Sequence, residues 1–218
     1  MTLEAVIAVR GGEDAKSRFQ GALSAAERAE LVSAMLADMI EALRAARAVR
    51  AVHVVTPTPA LAELARAAGA RVLLERQPRG INAAFDAARE EIRRGSPHAI
   101  IAALPGDLPL IDAQEIEAAA ARLEPGGVVL APASADGGTG AVILRADAPF
   151  AFRFGPDSFR RHGEAAAEAG LTPSVVCAPS LGLDIDRPED LNALLARGRG
   201  GRTVQALARL QRLAEARR

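Results

Sequence analysis

Short runs of apolar residues alternate along this chain with longer, alanine-rich segments of helical periodicity. In the first long segment Leu31, Met35, Met39 and Leu43 recur every four residues, the spacing of one helix face. The apolar runs are short and uninterrupted, as expected for strands that are buried on both faces of a parallel sheet. The alternation of the two patterns predicts βαβ units, and therefore an α/β fold around a mostly parallel, Rossmann-like sheet.

The predicted elements follow one another in a simple order. Strands are predicted at Ala5–Val9, Val52–Val55, Arg71–Leu74, His98–Leu104, Val128–Ala131, Ala141–Leu144 and near Ser174–Cys177. Helices are predicted from Glu27 to about Arg47, at Ala60–Ala68, Asn82–Arg94 and Asp112–Leu123, in a segment ending at Ala169, and at the C-terminus. No internal repeat and no long linker interrupts this series, so we expect one domain over residues 1–196 followed by a tail over residues 197–218.

The tail carries seven Arg and one acidic residue, with Leu207, Leu210 and Leu213 at helical spacing. This pattern favours a partly solvated C-terminal helix over a partner-binding or nucleotide-contacting segment.

Composition narrows the range of partners. The 27 Lys and Arg residues balance 27 Asp and Glu residues, so no net field attracts nucleic acid or an anionic membrane. Trp and Tyr are absent, and four of the six Phe lie between Phe150 and Phe159, which suggests a local lid or substrate platform. The single cysteine, Cys177, cannot form an internal disulfide and is expected to be a small buried residue. We expect a cytoplasmic protein that binds neither nucleic acid nor membrane.

Candidate chemistry lies in the loops after the strands, because open α/β sheets bind ligands beyond the carboxyl ends of their strands. The loop after the first strand combines two glycines with cations and is a candidate triphosphate cradle. Its members are Arg10, Gly11, Gly12, Lys16 and Arg18. The spacing differs from that of a P-loop, and a polar turn with a surface lysine is an equally good interpretation.

Three aspartates are candidate ligands of Mg²⁺. Asp107 lies between two prolines directly after the most apolar strand, and carboxylate oxygens suit this hard cation. Alternation along an extended segment places Asp184 and Asp186 on one side, so that they converge on the same ion. Capping is the alternative: Asp107 could cap a turn and Asp186 the helix that follows it.

Two glycine-containing loops suit a small phosphorylated or carboxylated ligand. One contains Thr139, and the other contains Gly155 and Ser158. Gly80 and Asn82 open a predicted helix, where Asn82 either caps the helix or reads a ligand with its amide.

Taken in order, these motifs resemble a known family. They are AKSRF, Glu27-Arg28, Gly80-Ile81-Asn82, LPGDLPL, GGTG, FGPDSFRRH and LDIDRPEDL. Together they are similar to the 2-phospho-L-lactate guanylyltransferase family of coenzyme F420 biosynthesis, over about Val6 to Leu195. The chain departs from the family pattern at Arg10, where a lysine is usual, and at Gly140, where an asparagine is usual. We expect Gly140 to remove a polar side chain beside the acceptor pocket.

The resemblance implies a nucleotidyltransferase fold that uses GTP and Mg²⁺. It implies transfer of GMP to the phosphate of 2-phospho-L-lactate, phosphoenolpyruvate or 3-phospho-D-glycerate, with release of pyrophosphate. It assigns Asp107, Asp184 and Asp186 to the metal, and Lys16 with Asp107 to catalysis. It places Lys16 in the nucleotide-phosphate loop, and Thr139, Gly155 and Ser158 at the acid. Together with the features of the loops themselves, this leads us to expect a nucleotide site formed by Arg10, Gly11, Gly12, Lys16, Arg18, Gly80 and Asn82.

The resemblance also points to a homodimer and to a downstream transferase as a partner. Two other functions stay open at this point. One is nucleotidyl transfer to another cofactor or sugar phosphate, and the other is nucleotide binding without catalysis.

Overall fold

Seven strands and seven helices make up the part of the chain that the computed structural model describes, namely residues 2–11, 16, 19–20, 23–133, 137–185, 190, 194 and 201–216. The strands are β1 (Leu3–Ala8), β2 (Val49–Thr56), β3 (Arg71–Leu74), β4 (Ile100–Pro105), β5 (Gly127–Pro132), β6 (Thr139–Arg145) and β7 (Thr172–Val175). The helices are α1 (Ala25–Ala45), α2 (Pro59–Ala67), α3 (Ile81–Gly95), α4 (Ala113–Ala120), α5 (Ser158–Glu168), α6 (Pro179–Gly182) and α7 (Arg202–Ala216). The predicted elements are confirmed, with shifts of a few residues at their ends.

All seven strands form one sheet in the order β3-β2-β1-β4-β6-β5-β7. The strands pair in parallel except β6, which lies antiparallel between β4 and β5. The expected mostly parallel sheet is therefore confirmed. Ala8 is the register partner of Pro105, so the loops after β1 and β4 leave the sheet side by side at its carboxyl edge.

The core lies on both faces of the sheet. In β1, Ala5 and Ile7 face one layer, which contains α1, α2 and α4. Val6 and Ala8 face the opposite layer, which contains α3 and α5. This alternation follows from the period-two geometry of a strand, and it gives a three-layer α/β/α arrangement with the carboxyl edge left open for a ligand.

Helix α1 begins at Ala25, two residues before the predicted start, because Ser24 caps it. The Ser24 hydroxyl accepts a hydrogen bond from the Glu27 backbone N–H, and the Glu27 carboxylate accepts one from the Ser24 N–H at 2.8 Å. The four predicted core positions of this helix, Leu31, Met35, Met39 and Leu43, are each fully buried.

The phenylalanines of the 150–159 segment are part of the core. Phe150, Phe152 and Phe154 are buried, and the rings of Phe152 and Phe154 lie 5.4 Å and 4.7 Å from the ring of Phe85 in α3. Phe159 is partly buried against the same cluster. The predicted lid or substrate platform is therefore wrong: burial of these large apolar rings outweighs any use at the surface.

Cys177 is exposed, so its predicted burial is also wrong. It follows β7, the strand at the end of the sheet order, where one side of the backbone has no neighbouring strand among the described residues.

The C-terminal helix α7 packs against α1. Leu207 and Leu210 are buried, and the backbone N–H groups of Arg202 and Thr203 donate to the Asp38 carboxylate at 2.9 Å and 2.8 Å. A carboxylate from one helix thus caps the first turn of another. Among the described residues, no helix is both long and apolar enough to cross a membrane.

Candidate functional site

A cleft of about 210 Å³ opens at the carboxyl edge of the sheet, between the loops after β1 and β4 and the start of α3. Four of the predicted site residues line it: Arg10, Lys16, Gly80 and Asp107. Glu75, which sequence reasoning missed, lines it as well. Its position directly after β3 was the available signal, since every loop at this edge is a candidate.

Lys16 and Asp107 form the central contact of the cleft. The Lys16 Nζ atom donates to Asp107 Oδ2 at 3.1 Å, and the two side chains are only 10% and 24% exposed. Lys16 has a φ of 52°, a left-handed conformation that a lysine adopts only where the surrounding structure holds it. The site therefore places a positive charge beside a carboxylate in a partly desolvated environment.

The second oxygen of Asp107 is a candidate cation ligand. Asp107 Oδ1 is buried and has no hydrogen-bond partner in the described part of the chain. A buried carboxylate oxygen without a partner is costly, and a bound cation removes that cost. This oxygen fits Mg²⁺, which prefers carboxylate and phosphate ligands.

Backbone packing sets the position of Asp107. A Cβ atom on Gly106 would lie 2.5 Å from Val9 Cβ, so only glycine lets the loop after β4 close against the end of β1. The Gly106 N–H donates to the Ala8 carbonyl at 3.0 Å, which holds the loop in that place.

The segment with the second predicted metal ligand reaches the same loop. The Ile185 N–H donates to the Asp107 backbone carbonyl at 3.0 Å. Asp184 directly precedes Ile185 in the sequence, so it lies beside a segment that contacts Asp107. Asp186 lies outside the described residues. Within the described ranges, no three His, Cys, Asp or Glu side chains form a group ready to hold a metal.

The first glycine of the loop after β1 contacts the residue that precedes α2. The Gly11 N–H donates to the Thr58 hydroxyl at 3.0 Å, so this group is already satisfied by the protein. Thr58 and Leu61 also pack closely over this glycine. The predicted contact of Gly11 with the nucleotide stays a prediction. Gly12 and Arg18 lie outside the described residues.

The start of α3 forms another wall of the cleft. Gly80, with a φ of 103°, is its N-cap and supplies no side chain to cap the first turn. The N–H groups of the first turn and the dipole of this helix favour an anion in the cleft.

Asn82 does not cap α3, so that interpretation is wrong. Its amide donates to the Phe154 carbonyl at 3.1 Å and accepts from the Phe154 N–H at 2.7 Å. Asn82 thus fastens the loop containing Gly155 to the helix that borders the cleft. Its predicted contact with the nucleotide stays a prediction.

The residues predicted to hold the acid lie together beyond that loop. The Ser158 hydroxyl is 3.0 Å from Thr139 Oγ1, which is 2.9 Å from His162 Nδ1. All three side chains are buried. Gly155, exposed and with a φ of 124°, begins the turn into α5.

Sequence reasoning did not identify the buried contact between His162 and Thr139. Burial lowers its pKa to about 4, and the charges of Arg161 and Arg153 act in the same direction, so the imidazole is neutral near pH 7. The available signal was its position four residues after Ser158, on the same face of a helix.

The expected effect of Gly140 is wrong. A Cβ atom on Gly140 would lie 1.5 Å from the Leu181 carbonyl oxygen. This position therefore faces the backbone of α6, and glycine is present because the two chain segments approach each other too closely for any side chain.

The chain matches the model of a protein family described as guanylyl transferase CofC like, over residues 3–217. The match includes the Arg-rich tail, which we expected to fall outside the resemblance. It therefore extends over nearly the whole chain.

Curated relatives agree with this match. The 3-phospho-D-glycerate guanylyltransferase of Phenylobacterium zucineum is 49% identical over 95% of this chain and 96% of its own length. The phosphoenolpyruvate guanylyltransferase of Mycobacterium sp. strain KMS is 43% identical over 93% of this chain and 90% of its own.

Solved structures share the fold. A Desulfovibrio desulfuricans G20 protein assigned to the nucleotide-diphospho-sugar transferases has a TM-score of 0.77 and 18% identity, over 99% of this chain and 98% of its own. A nucleotidyl transferase from Methanothermobacter has a TM-score of 0.65 and 17% identity, over 90% of this chain and 97% of its own. The chain belongs to the family of CofC-like guanylyl transferases and is a nucleotidyltransferase.

Proposed function

We propose that this protein transfers GMP from GTP to the phosphate group of a small phosphorylated carboxylic acid, with release of pyrophosphate. The acceptor that we propose is 3-phospho-D-glycerate. The relative at 49% identity is named for that acid, whereas relatives at 36% and 43% identity are named for phosphoenolpyruvate.

One observation carries the proposal: the Lys16–Asp107 contact in the cleft, with a second Asp107 oxygen that is buried and has no hydrogen-bond partner among the described residues. A lysine and a cation-ready carboxylate at the carboxyl edge of an α/β sheet suit a nucleoside triphosphate. The transfer of a nucleotidyl group requires mainly positioning and the neutralisation of charge, and both are available here.

The reaction needs no covalent intermediate on the protein. An anionic oxygen of the acceptor phosphate attacks the α-phosphorus of GTP, forming a new P–O bond, while the bond to the β-phosphate breaks and pyrophosphate leaves with that electron pair. Arg10, Lys16 and the N-terminus of α3 bind and orient the triphosphate. Thr139, Gly155 and Ser158 hold the acid.

The proposal includes Mg²⁺, which Asp107, Asp184 and Asp186 would hold. When bound, the ion neutralises phosphate charge that would otherwise keep the two anionic substrates apart. The free Asp107 oxygen supports this assignment.

We place the reaction in coenzyme F420 biosynthesis in the cytoplasm, on the strength of the family resemblance. The product would be a pyrophosphate diester, whose phosphoanhydride bond is energy-rich. A downstream transferase that breaks this bond would fit such a product, and the homodimer stays a prediction.

The decisive assay measures pyrophosphate release by the purified protein with GTP, Mg²⁺ and each of the three acids in turn. We expect release with 3-phospho-D-glycerate at a higher kcat/KM than with phosphoenolpyruvate or 2-phospho-L-lactate. A higher kcat/KM with either other acid would overturn the choice of acceptor. A rise in melting temperature with GTP and Mg²⁺, but no release with any acid, would instead indicate a nucleotide-binding protein without this activity.

The role of the cleft is tested by Asp107→Asn. We expect kcat to fall at least about 100-fold, the scale of losing one preorganised charge contact at a transition state. The matched control is Asp147→Asn: Asp147 follows β6 and pairs with His98 and Arg145, near the amino end of β4. If Asp107→Asn is as active as Asp147→Asn, the cleft is not the active site.

A further inference from the structure

His162 is a fully buried histidine that the proposed mechanism does not use. Its ring lies 5.7 Å from that of Phe150 in a stacked arrangement and 4.7 Å from that of Phe154 in an edge arrangement. Both of its ring nitrogens also make hydrogen bonds. The ring is therefore held in one orientation by packing and by polar contacts together.

The hydrogen bonds determine which nitrogen carries the proton. The Arg153 backbone N–H can only donate, and it lies 2.9 Å from His162 Nε2, so Nε2 is the acceptor. The imidazole is neutral, since burial lowers its pKa to about 4. The single ring proton is consequently on Nδ1, which donates to Thr139 Oγ1 at 2.9 Å.

Counting protons gives the direction of the remaining bonds. His162, Thr139 and Ser158 have three donors between them, one N–H and two O–H groups. The two hydrogen bonds within this trio use two of these donors. Whichever hydroxyl donates in the contact between Thr139 and Ser158, one hydroxyl proton is left for a partner other than these three side chains. If Nδ1 carried no proton, it would accept the Thr139 proton, and the Ser158 proton would then go to Thr139. No hydroxyl proton would remain for another partner.

We propose that His162 is a positioning residue that orients the Thr139–Ser158 pair so that a hydroxyl proton points at the phosphate group of the acceptor acid. The inference rests on the proposed function, which assigns Thr139 and Ser158 to that acid. A hydroxyl donor suits an anionic phosphate, and the hydrogen bond is of the strong, charge-assisted kind.

The location supports this role. Ser158 is the first residue of α5, and the loop before it is fastened to the wall of the nucleotide cleft by Asn82 and Phe154. The hydroxyl pair thus lies next to the cleft, where the acid has to meet the α-phosphorus of GTP.

Two substitutions at His162 test the inference. His162→Phe keeps the ring packing and removes the N–H that fixes the Thr139 hydroxyl. The remaining hydroxyl proton is then no longer held toward the acid, so the KM for the acid should rise by up to about tenfold, the scale of a weakened hydrogen bond to a charged group. The KM for GTP should stay within about twofold, because the nucleotide contacts are unchanged. His162→Asn places an amide N–H near the former Nδ1 and should recover part of the affinity for the acid.

The control is His98→Gln, at an exposed histidine near the opposite edge of the sheet, for which both KM values should match the wild type. An unchanged KM for the acid in His162→Phe, or an equal rise in both KM values, would overturn the inference and leave a structural role. If His162→Phe does not fold, His162→Asn decides: a KM for GTP that rises as much as that for the acid overturns the inference.

Ser158→Ala separates this inference from the function on which it rests. A higher KM for the acid in Ser158→Ala with no change in His162→Phe refutes only the positioning role. No change in either Ser158→Ala or Thr139→Val refutes the acceptor site itself.

Discussion

Gly140→Ala is expected to damage both the stability and the activity of this protein, although it adds a single methyl group. That methyl would lie 1.5 Å from the Leu181 carbonyl oxygen, whereas ordinary contact begins at 3.4 Å. The backbone of α6 therefore has to retreat by about 2 Å, because a close-packed interior has no empty space to absorb the group.

The size of the effect follows from that displacement. Overpacking of a buried site costs about 1–3 kcal/mol, and contact with rigid backbone rather than a flexible side chain places this case near the upper end. The displaced segment leads to Ile185, whose N–H holds the Asp107 loop. A shift of about 1 Å at an active site can cost 100-fold in rate, so kcat/KM should fall about 100-fold.

Urea denaturation and pyrophosphate release measure the two effects. The matched control is Gly163→Ala, where a Cβ atom has nothing within 4 Å and the residue lies inside α5. This change should stabilise the protein by about 0.5–1 kcal/mol, since alanine is the better helix former. If Gly140→Ala is as stable as the wild type, α6 does not lie against β6 as described.

Two further predictions concern the core. The Glu4 carboxylate is buried. It accepts a hydrogen bond from Arg50 Nε at 2.5 Å, and its other oxygen lies 2.9 Å from His53 Nε2. Burial raises the pKa of Glu4, but the hydrogen bonds and charges of His53 and Arg50 outweigh it, so the pKa lies below its ordinary value of 4.5. The ionised Glu4 carboxylate therefore stabilises the fold above pH 4.5. The protein loses this stabilisation as the pH falls below 4.5 and through the lowered pKa. Glu4→Gln should cost about 1–2 kcal/mol in free energy of unfolding at pH 7, because the Arg50 side chain that loses its partner is half exposed. Urea denaturation of both proteins should show this difference narrowing in acid, and a constant difference from pH 7 to pH 3 would contradict the reasoning. Phe85→Ala should cost about 3–5 kcal/mol by the same assay, and a loss below about 1 kcal/mol would show that the aromatic cluster is not part of the core.

Local patterns predicted most of the elements and the edge of the sheet that carries the site. A four-residue apolar period in α1 needs only helix geometry to be read, and the burial of Leu31 and Met35 confirms it. Asp107 was identifiable because a polar residue follows a very apolar strand, at the edge where α/β sheets bind ligands. Arg10 and Lys16 were found in the loop after the first strand by the same reasoning, and both line the cleft.

Local patterns failed where a residue's partner is distant along the chain. Phe152 and Phe154 read as a surface platform because their neighbour Phe85 belongs to a separate helix. Cys177 read as buried because nothing local shows that β7 ends the sheet order.

The sequence by itself determined the α/β class, the order of the elements and the residue types available for phosphate and metal, since these depend on contacts between near neighbours and on composition. Only the tertiary structure decided which of those residues meet. The Lys16–Asp107 contact joins positions 91 residues apart, the Thr139–His162 bond joins positions 23 apart, and Gly140 faces the backbone of α6. Such pairings depend on strand order, crossover packing and the reversal of β6, which no local spacing encodes.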